Sequence, residues 1–325
     1  MGSLDTLAQP SQFVPGDDEE VLLRRARAKH LTLPLATMLT ELRTPLEKSY
    51  RNTIYCASLL EQDETGQIRG KYCGNRWCLV CNRVRLARAI NCYHPVVAEW
   101  PDPWFVTPTL PNVAAKDLRS TINAMLRDLA AIGRAIKRTD QLSFHALRKL
   151  ECTYNRYHDS FHPHFHLVVQ GRPTALALRR RWLACHPEAV LEAQDMRTCD
   201  ARSMLELFKY FTKLIMKRQD DRSARTIAPA LALDAIFSAF RQRRVFQPMG
   251  FRGGVPGDED EESAVGISGA TTIRHRLAER VRWQWMQDLH DWVDLKSGDM
   301  LTGYEPTERI RRLVEVEGRS TKRWS

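Results

Sequence analysis

Apolar and polar positions along the chain repeat with two different periods, and each predicts its own elements. From Asp17 to His30 the run DDEEVLLRRARAKH sets acids first and bases last, the order that a helix dipole favours. Trp104–Leu110 reads as a strand and Asp117–Lys137 as an amphipathic helix. Phe144–Tyr154 and His164–Gln170 read as two strands joined by the polar stretch NRYHDSFHP, hence an antiparallel hairpin. Thr174–Cys185 predicts a helix, Ala189–Cys199 a strand and Ser203–Lys217 a helix. After Arg225 the pattern stays helical as far as the Gly/Pro-rich stretch from Pro248 to Gly257. The acidic run Asp258–Glu262 reads as a solvated linker. Residues 271–295 predict a final helix with Leu277, Val281, Trp285 and Leu289 on a core-facing stripe. Strands and helices mixed around a hairpin make an α+β fold with a mainly antiparallel sheet.

At about 150 residues per domain, 325 residues suggest about two domains. The expected segments are a tail and helix over 1–45 and a Cys-rich module over 46–100. An α+β body follows over 101–225, then a helical C-terminal region over 226–325 with its acidic linker at 250–263.

Hydrophobic content of 43% and charged content of 27% are those of a soluble globular chain and argue against wholesale disorder. No apolar run approaches the roughly 18 residues of a membrane span, so no membrane partner is expected. The first twenty residues have neither a basic start nor an apolar core, which predicts a chain kept in a reducing cytoplasm. Eight cysteines are too sparse for a disulfide scaffold, and there the closely spaced ones read as metal ligands. Lys and Arg outnumber Asp and Glu by 49 to 39, and the resulting charge of +10 favours a polyanionic partner.

Cys73, Cys78 and Cys81 lie in KYCGNRWCLVCNRVR, with Cys56 seventeen residues upstream. Four thiolates at such spacing suit one tetrahedral Zn²⁺ at about 2.3 Å, with no position left for water, hence a structural Zn²⁺. His94 and Cys92 are the substitutes if Cys56 is not a ligand. Arg76, Arg83, Arg85 and Arg88 around the module read either as a face for DNA phosphates or as a merely solvated one.

The segment His162-Pro-His164-Phe-His166-Leu-Val-Val carries a different chemistry. On a strand His164 and His166 project to one face, about 7 Å apart, and can pinch one divalent cation. Glu151, on the partner strand of the hairpin, completes a His₂-carboxylate set; the competing third ligand is His162. Two imidazoles and an oxygen suit Mn²⁺ or Mg²⁺, with positions open to phosphate oxygens. Downstream, Glu206, Tyr210 and Lys213 fall within roughly 60° of helical arc, while Met204, Leu207, Phe208, Phe211, Leu214 and Ile215 take the other side. These groups fit phosphodiester cleavage by a covalent route. The Tyr210 phenol attacks phosphorus, leaving a 5′-phosphotyrosine and a free 3′-OH, with Lys213 favouring the phenolate and Glu206 serving water in a second cleavage.

Taken together, these motifs resemble the HUH endonucleases, and among them the plasmid rolling-circle replication initiators of the Rep_1 type. FVTPTLPN at 105–112 is similar to that family's first motif, HPHFHLVV at 162–169 to its histidine motif and ELFKYFTK at 206–213 to its tyrosine motif. LECTYN at 150–155 is similar to its glutamate-bearing strand, and CGNRWCLVC ends a similar upstream Cys cluster. The resemblance implies a ferredoxin-like HUH endonuclease domain over 101–225, with the tyrosine on a helix above the metal. It implies nicking at a double-strand origin and recruitment of a host helicase; single-strand-binding protein is a further expected partner, and a homodimer is left open. Thr107, Thr109 and Lys209 join Arg76, Arg83 and Arg85 as candidate DNA contacts. Pro108 departs from the family's aliphatic position, which predicts an irregular strand or one at a sheet edge. The single tyrosine of 203–217 points away from two-tyrosine members. A relaxase or single-strand transposase of the same class, and a non-catalytic zinc-containing nucleic-acid-binding protein, stand as the alternatives.

Overall fold

The computed structural model describes residues 18–63, 67–208, 213–217, 225–251, 273–274 and 281–320. The acid-first run opens α1 (Asp18–Thr40), which continues past His30 and through Pro34. Then come α2 (Glu47–Ile54), β1 (Leu59–Gln62), β2 (Gln67–Gly70) and α3 (Leu79–Ala98). Next are β3 (Pro103–Thr107), α4 (Ala115–Arg138), β4 (Ala146–Asn155), β5 (Ser160–Gln170), α5 (Arg172–Cys185), β6 (Asp195–Thr198) and α6 (Ala201–Leu207). They are followed by β7 (Ile215–Lys217), β8 (Arg225–Ile227), α7 (Ala230–Phe240) and β9 (Phe246–Met249). The last elements are β10 (Ile273–Arg274), β11 (Val281–Met286), β12 (Asp291–Asp294) and α8 (Glu308–Ser320). No described helix is long and apolar enough to cross a membrane.

Four readings of the sequence are corrected. The helix expected over 203–217 ends at Leu207, and Ile215–Lys217 is a strand. The stretch after Arg225 is helical only at Ala230–Phe240, with strands at Arg225–Ile227 and Phe246–Met249. The final helix over 271–295 is replaced, among the described residues, by β10 and the β11–β12 hairpin. In β11, Val281, Trp283 and Trp285 are buried while Arg282, Gln284 and Met286 face out, a period of two rather than 3.6. The Ala189–Cys199 strand is shorter than expected, a 3₁₀ turn at Leu191–Ala193 preceding β6.

The chain divides into two compact units. One holds the described residues of Ser11–Arg88, Ile215–Leu231 and Glu259–Ser325. Its antiparallel sheet runs β10-β2-β1-β11-β12, and α1 packs with α2 and α8. Its core joins Trp283, Trp285, Trp292, Leu60 and Ile68 to the buried Cys56, Cys78 and Cys81. The Trp292 indole donates to the Ala57 carbonyl at 2.7 Å, pinning β12 beside Cys56. The C-terminal strands are thus part of the fold that carries the cysteines.

The other unit holds the described residues of Ala89–Leu214 and Ala232–Asp258. Its five strands lie in the order β6-β3-β5-β4-β9, antiparallel throughout. The succession β3-α4-β4-β5-α5-β6 is strand–helix–strand–strand–helix–strand, which is the ferredoxin-like arrangement, with β9 added beside β4. Leu118, Ile122, Met125, Leu129, Ile132 and Ile136 form the buried face of α4, with Asp117 in its first turn and Lys137 and Arg138 in its last. Phe165 of β5 meets the buried Trp182 of α5, ring centroids 5.9 Å apart, so α5 covers the sheet face that carries the odd-numbered β5 residues. On the other face Val168 and Leu147 pack with Ile90 and Tyr93 of α3 and with Leu207 and Phe208. Gly250, at φ +82°, closes this sheet: a Cβ there would stand 1.8 Å from the Phe144 carbonyl oxygen.

Candidate functional site

The β4–β5 register assembles the first cluster. Glu151 lies directly opposite His164 and Lys149 directly opposite His166. Because side chains alternate across a strand, all four groups rise from one face of the sheet. His164 Nε2 is 3.9 Å from Glu151 Oε1, and His166 Nε2 is 3.4 Å from Glu151 Oε2. One ligand atom from each of the three residues falls within 4.8 Å of the other two. His162, the competing third ligand, is not part of that group.

Neighbouring groups fix how the imidazoles point. His164 Nδ1 is 3.1 Å from the His162 carbonyl. A carbonyl only accepts, so His164 carries its proton on Nδ1 and turns a bare Nε2 towards Glu151. Thr107 Oγ1 stands 3.3 Å from His166 Nδ1, which leaves Nε2 of that ring on the Glu151 side as well. Thr109 is buried; its hydroxyl is 2.8 Å from His162 Nε2, and its backbone is held by Gln194 and by the Trp182 indole. Pro108 between them cannot donate to the ladder and β3 stops at Thr107, yet the Pro108 carbonyl accepts the Phe165 N–H at 3.0 Å. Thr107 and Thr109, the expected DNA contacts, both stand within hydrogen-bond reach of the histidine strand.

Lys149 is the residue that sequence reasoning missed. Its side chain is 0% exposed and its Nζ donates to Glu151 Oε2 at 2.6 Å and to the Glu206 carbonyl at 3.3 Å. The available signal was parity: two residues before Glu151 on one strand, it had to share that face. Burial pushes the Glu151 carboxyl up, but the Lys149 ammonium and the two imidazoles outweigh it and hold it well below the usual carboxylate range. Burial also draws His164 down to about 4, so near neutrality its imidazole is uncharged. Ligand atoms each about 2.1 Å from one ion stand about 3.0 Å apart at right angles and about 4.2 Å apart in line. The observed 3.4 and 3.9 Å fall between these limits, so two oriented imidazoles and an ionised carboxylate fit a divalent cation.

The remaining expected residues are not all brought together. Asp200 caps α6, its Oδ1 accepting from the Ser203 N–H at 2.8 Å. Glu206, in the last turn of α6, is half-buried, and its carbonyl is tied to Lys149. Lys213 is exposed and outside any helix, so the stripe expected to join it to Glu206 does not exist as a continuous helical face. Tyr210 and Lys209 lie outside the described residues.

In the other unit, Cys56, Cys73, Cys78 and Cys81 place their sulfurs within 4.8 Å of one another. Cys56 Sγ is 3.4 Å and Cys73 Sγ 3.6 Å from Cys81 Sγ. Four thiolates about 2.3 Å from one tetrahedral ion stand about 3.8 Å apart, so these contacts fit a Zn²⁺-type site without rearrangement. Hydrogen bonds from the other three thiols pull Cys73 well below the ordinary thiol range. Buried Lys29 donates to the Cys56 carbonyl at 2.7 Å and brings a positive charge to the cluster. His94 and Cys92 are not members of this group. Arg76, Arg83, Arg85 and Arg88 are half-buried rather than a solvated face. Arg85 donates to the Gly74 carbonyl, and burial lowers Arg83 to about 10.

With this geometry in place, the comparisons are specific. Residues 65–174 match the Rep_1 family of replication proteins, a segment containing Cys73, Cys78, Cys81, Glu151, His164 and His166. Over that segment the chain is similar to Rep_1 replication proteins. It is 28% identical over 158 residues to a "Protein rep" of Streptococcus pneumoniae serotype 2 (strain D39 / NCTC 7466), an alignment covering 43% of this chain and 47% of that one. A "Protein rep" of Staphylococcus aureus is 24% identical over 159 residues, 43% of this chain and 69% of that one. The chain thus spans about half the length of the first of these relatives. No solved structure matches it.

Proposed function

We propose that this Rep_1-type chain initiates rolling-circle replication of a plasmid by nicking one strand at the origin. The convergence of Glu151, His164 and His166 on one face of β4–β5 carries the reading. These three residues would hold Mn²⁺ or Mg²⁺, which supplies Lewis-acid polarisation of the scissile phosphate when bound. The Tyr210 phenol is the nucleophile: it attacks phosphorus, the 3′-oxygen leaves, and a 5′-phosphotyrosine retains the energy needed for rejoining. Lys149 keeps Glu151 ionised and, through the Glu206 carbonyl, anchors the chain four residues before Tyr210 to the same site. Glu206 serves water in the terminating cleavage, and Lys213 favours the phenolate as an exposed cation. The four cysteines would hold a structural Zn²⁺. The partners that follow are origin DNA with an exposed single strand, a host helicase and single-strand-binding protein.

The test is incubation of the full chain with Mn²⁺ and a single-stranded origin oligonucleotide from its own plasmid. The wild type forms an SDS-stable protein–DNA band, and Tyr210→Phe forms none while retaining DNA affinity. Equal adduct in both proteins would remove Tyr210 from the mechanism. Undiminished biological activity of Tyr210→Phe would favour the non-catalytic binding module instead.

A further inference from the structure

A third group of metal-ligating side chains lies in the ferredoxin-like unit, on the side of the sheet covered by α4 and α5. Asp128 of α4, Cys185 at the end of α5 and His186 just beyond it each bring one ligand atom within 4.8 Å of the others. His186 is 6% exposed, and its buried Nε2 has no hydrogen-bond partner. That atom faces Asp128 Oδ2 across 3.6 Å, too long for a hydrogen bond. It is close to the separation of about 3.4 Å between two ligands of one tetrahedral ion at about 2.1 Å. On the other side of the ring, Nδ1 is 3.3 Å from Glu188 Oε1. With its proton on Nδ1 facing that carboxylate, the ring presents a bare lone pair at Nε2, the orientation that second-shell carboxylates impose on metal-bound histidines.

We propose that Asp128, Cys185 and His186 form a third metal site, taking Zn²⁺ or a cation of similar softness, separate from the Glu151–His164–His166 cluster and from the four cysteines. Thiolate, imidazole and carboxylate together select a borderline cation over Mg²⁺. Cys185 is exposed, so a fourth position stays open to water and the ion has a path of entry. The ion would clamp the C-terminal end of α5 to the middle of α4. It would also steady Trp182, whose ring lies 4.3 Å from His186 and whose indole N–H holds the Thr109 carbonyl behind His162. The site therefore fixes the support of the histidine strand without contributing to the chemistry there.

The exposed thiol makes the site addressable in the full chain. Cys185 alkylation by iodoacetamide, followed by peptide mass spectrometry under reducing conditions, reports the free thiolate. Zn²⁺ is expected to slow alkylation of Cys185 by about tenfold or more, while Mg²⁺ leaves it unchanged, because a bound thiolate loses its nucleophilicity. Asp128→Asn, at a half-exposed position, is expected to abolish most of that protection while the protein stays folded by circular dichroism. His186→Ala should do the same; should that variant not fold, Asp128→Asn decides alone. Alkylation of wild-type Cys185 at the same rate with and without Zn²⁺ would overturn the proposal, as would undiminished protection in Asp128→Asn.

Discussion

Lys149→Met isolates the interaction that the structure places at the base of the candidate active site. The ammonium is fully buried and lies 2.6 Å from Glu151 Oε2. At an effective dielectric constant of about 20, a charge pair at that separation is worth about 6 kcal/mol before desolvation of both ions is subtracted. Removing one partner strands the other, which costs about 3–5 kcal/mol. At about 2–4 °C per kcal/mol for a unit of this size, the unfolding midpoint falls by about 6–20 °C. The assay is thermal unfolding followed by circular dichroism, with chelator present so that no added cation compensates the carboxylate. The double variant Lys149→Met/Glu151→Gln removes both charges and should recover more than half of the loss, since a neutral amide no longer demands a counter-ion. A fall of under 2 °C in the single variant would refute the reasoning. So would a double variant as unstable as the sum of the two singles.

Other consequences concern stability and the second unit. His30 is held at about 4, mainly by burial and secondarily by His290, 4.5 Å away between ring centroids. Between pH 6.5 and about 4 the unfolded chain therefore binds the extra proton, and stability falls by about 3 kcal/mol as the pH drops through that window. Urea titrations at several pH values should show this slope in the wild type and a flatter one in His30→Asn. Gly250→Ala forces a side chain into the left-handed region and onto the Phe144 carbonyl, so it should cost about 3 kcal/mol or more by chemical denaturation. A strong chelator should lower the unfolding midpoint of the cysteine-bearing unit, and Zn²⁺ should restore it, as differential scanning calorimetry can follow.

The histidine strand was legible because its information is local. Two histidines separated by one residue share a face in any strand, and the hairpin sets Glu151 across from His164 once its turn falls at residues 156–159. Lys149 obeys the same parity, but a lysine on a strand reads as a solvated residue until its burial is known. The positions of Thr107 and Thr109 beside the histidines depend on β3 pairing with β5, a contact between segments more than sixty residues apart. The C-terminal hairpin was misread because a spacing of four satisfies both periods. Val281 and Trp285 share a face in a helix and in a strand alike. Trp283 decides, since a strand buries it with them and a helix turns it about 200° away. Pairing of β11 with β1 across more than two hundred residues selects the strand, and nothing local to 281–286 encodes that. The helix expected over 203–217 rested on its apolar residues, and IMK at 215–217 finds its hydrogen bonds in β8 instead.

The direct measurement is anomalous diffraction from crystals of the full chain soaked in Mn²⁺. A peak within coordination distance of His164 Nε2, His166 Nε2 and a Glu151 carboxylate oxygen is the predicted result. Ordered crystals with these three side chains bare at a Mn²⁺ concentration that supports adduct formation would contradict it.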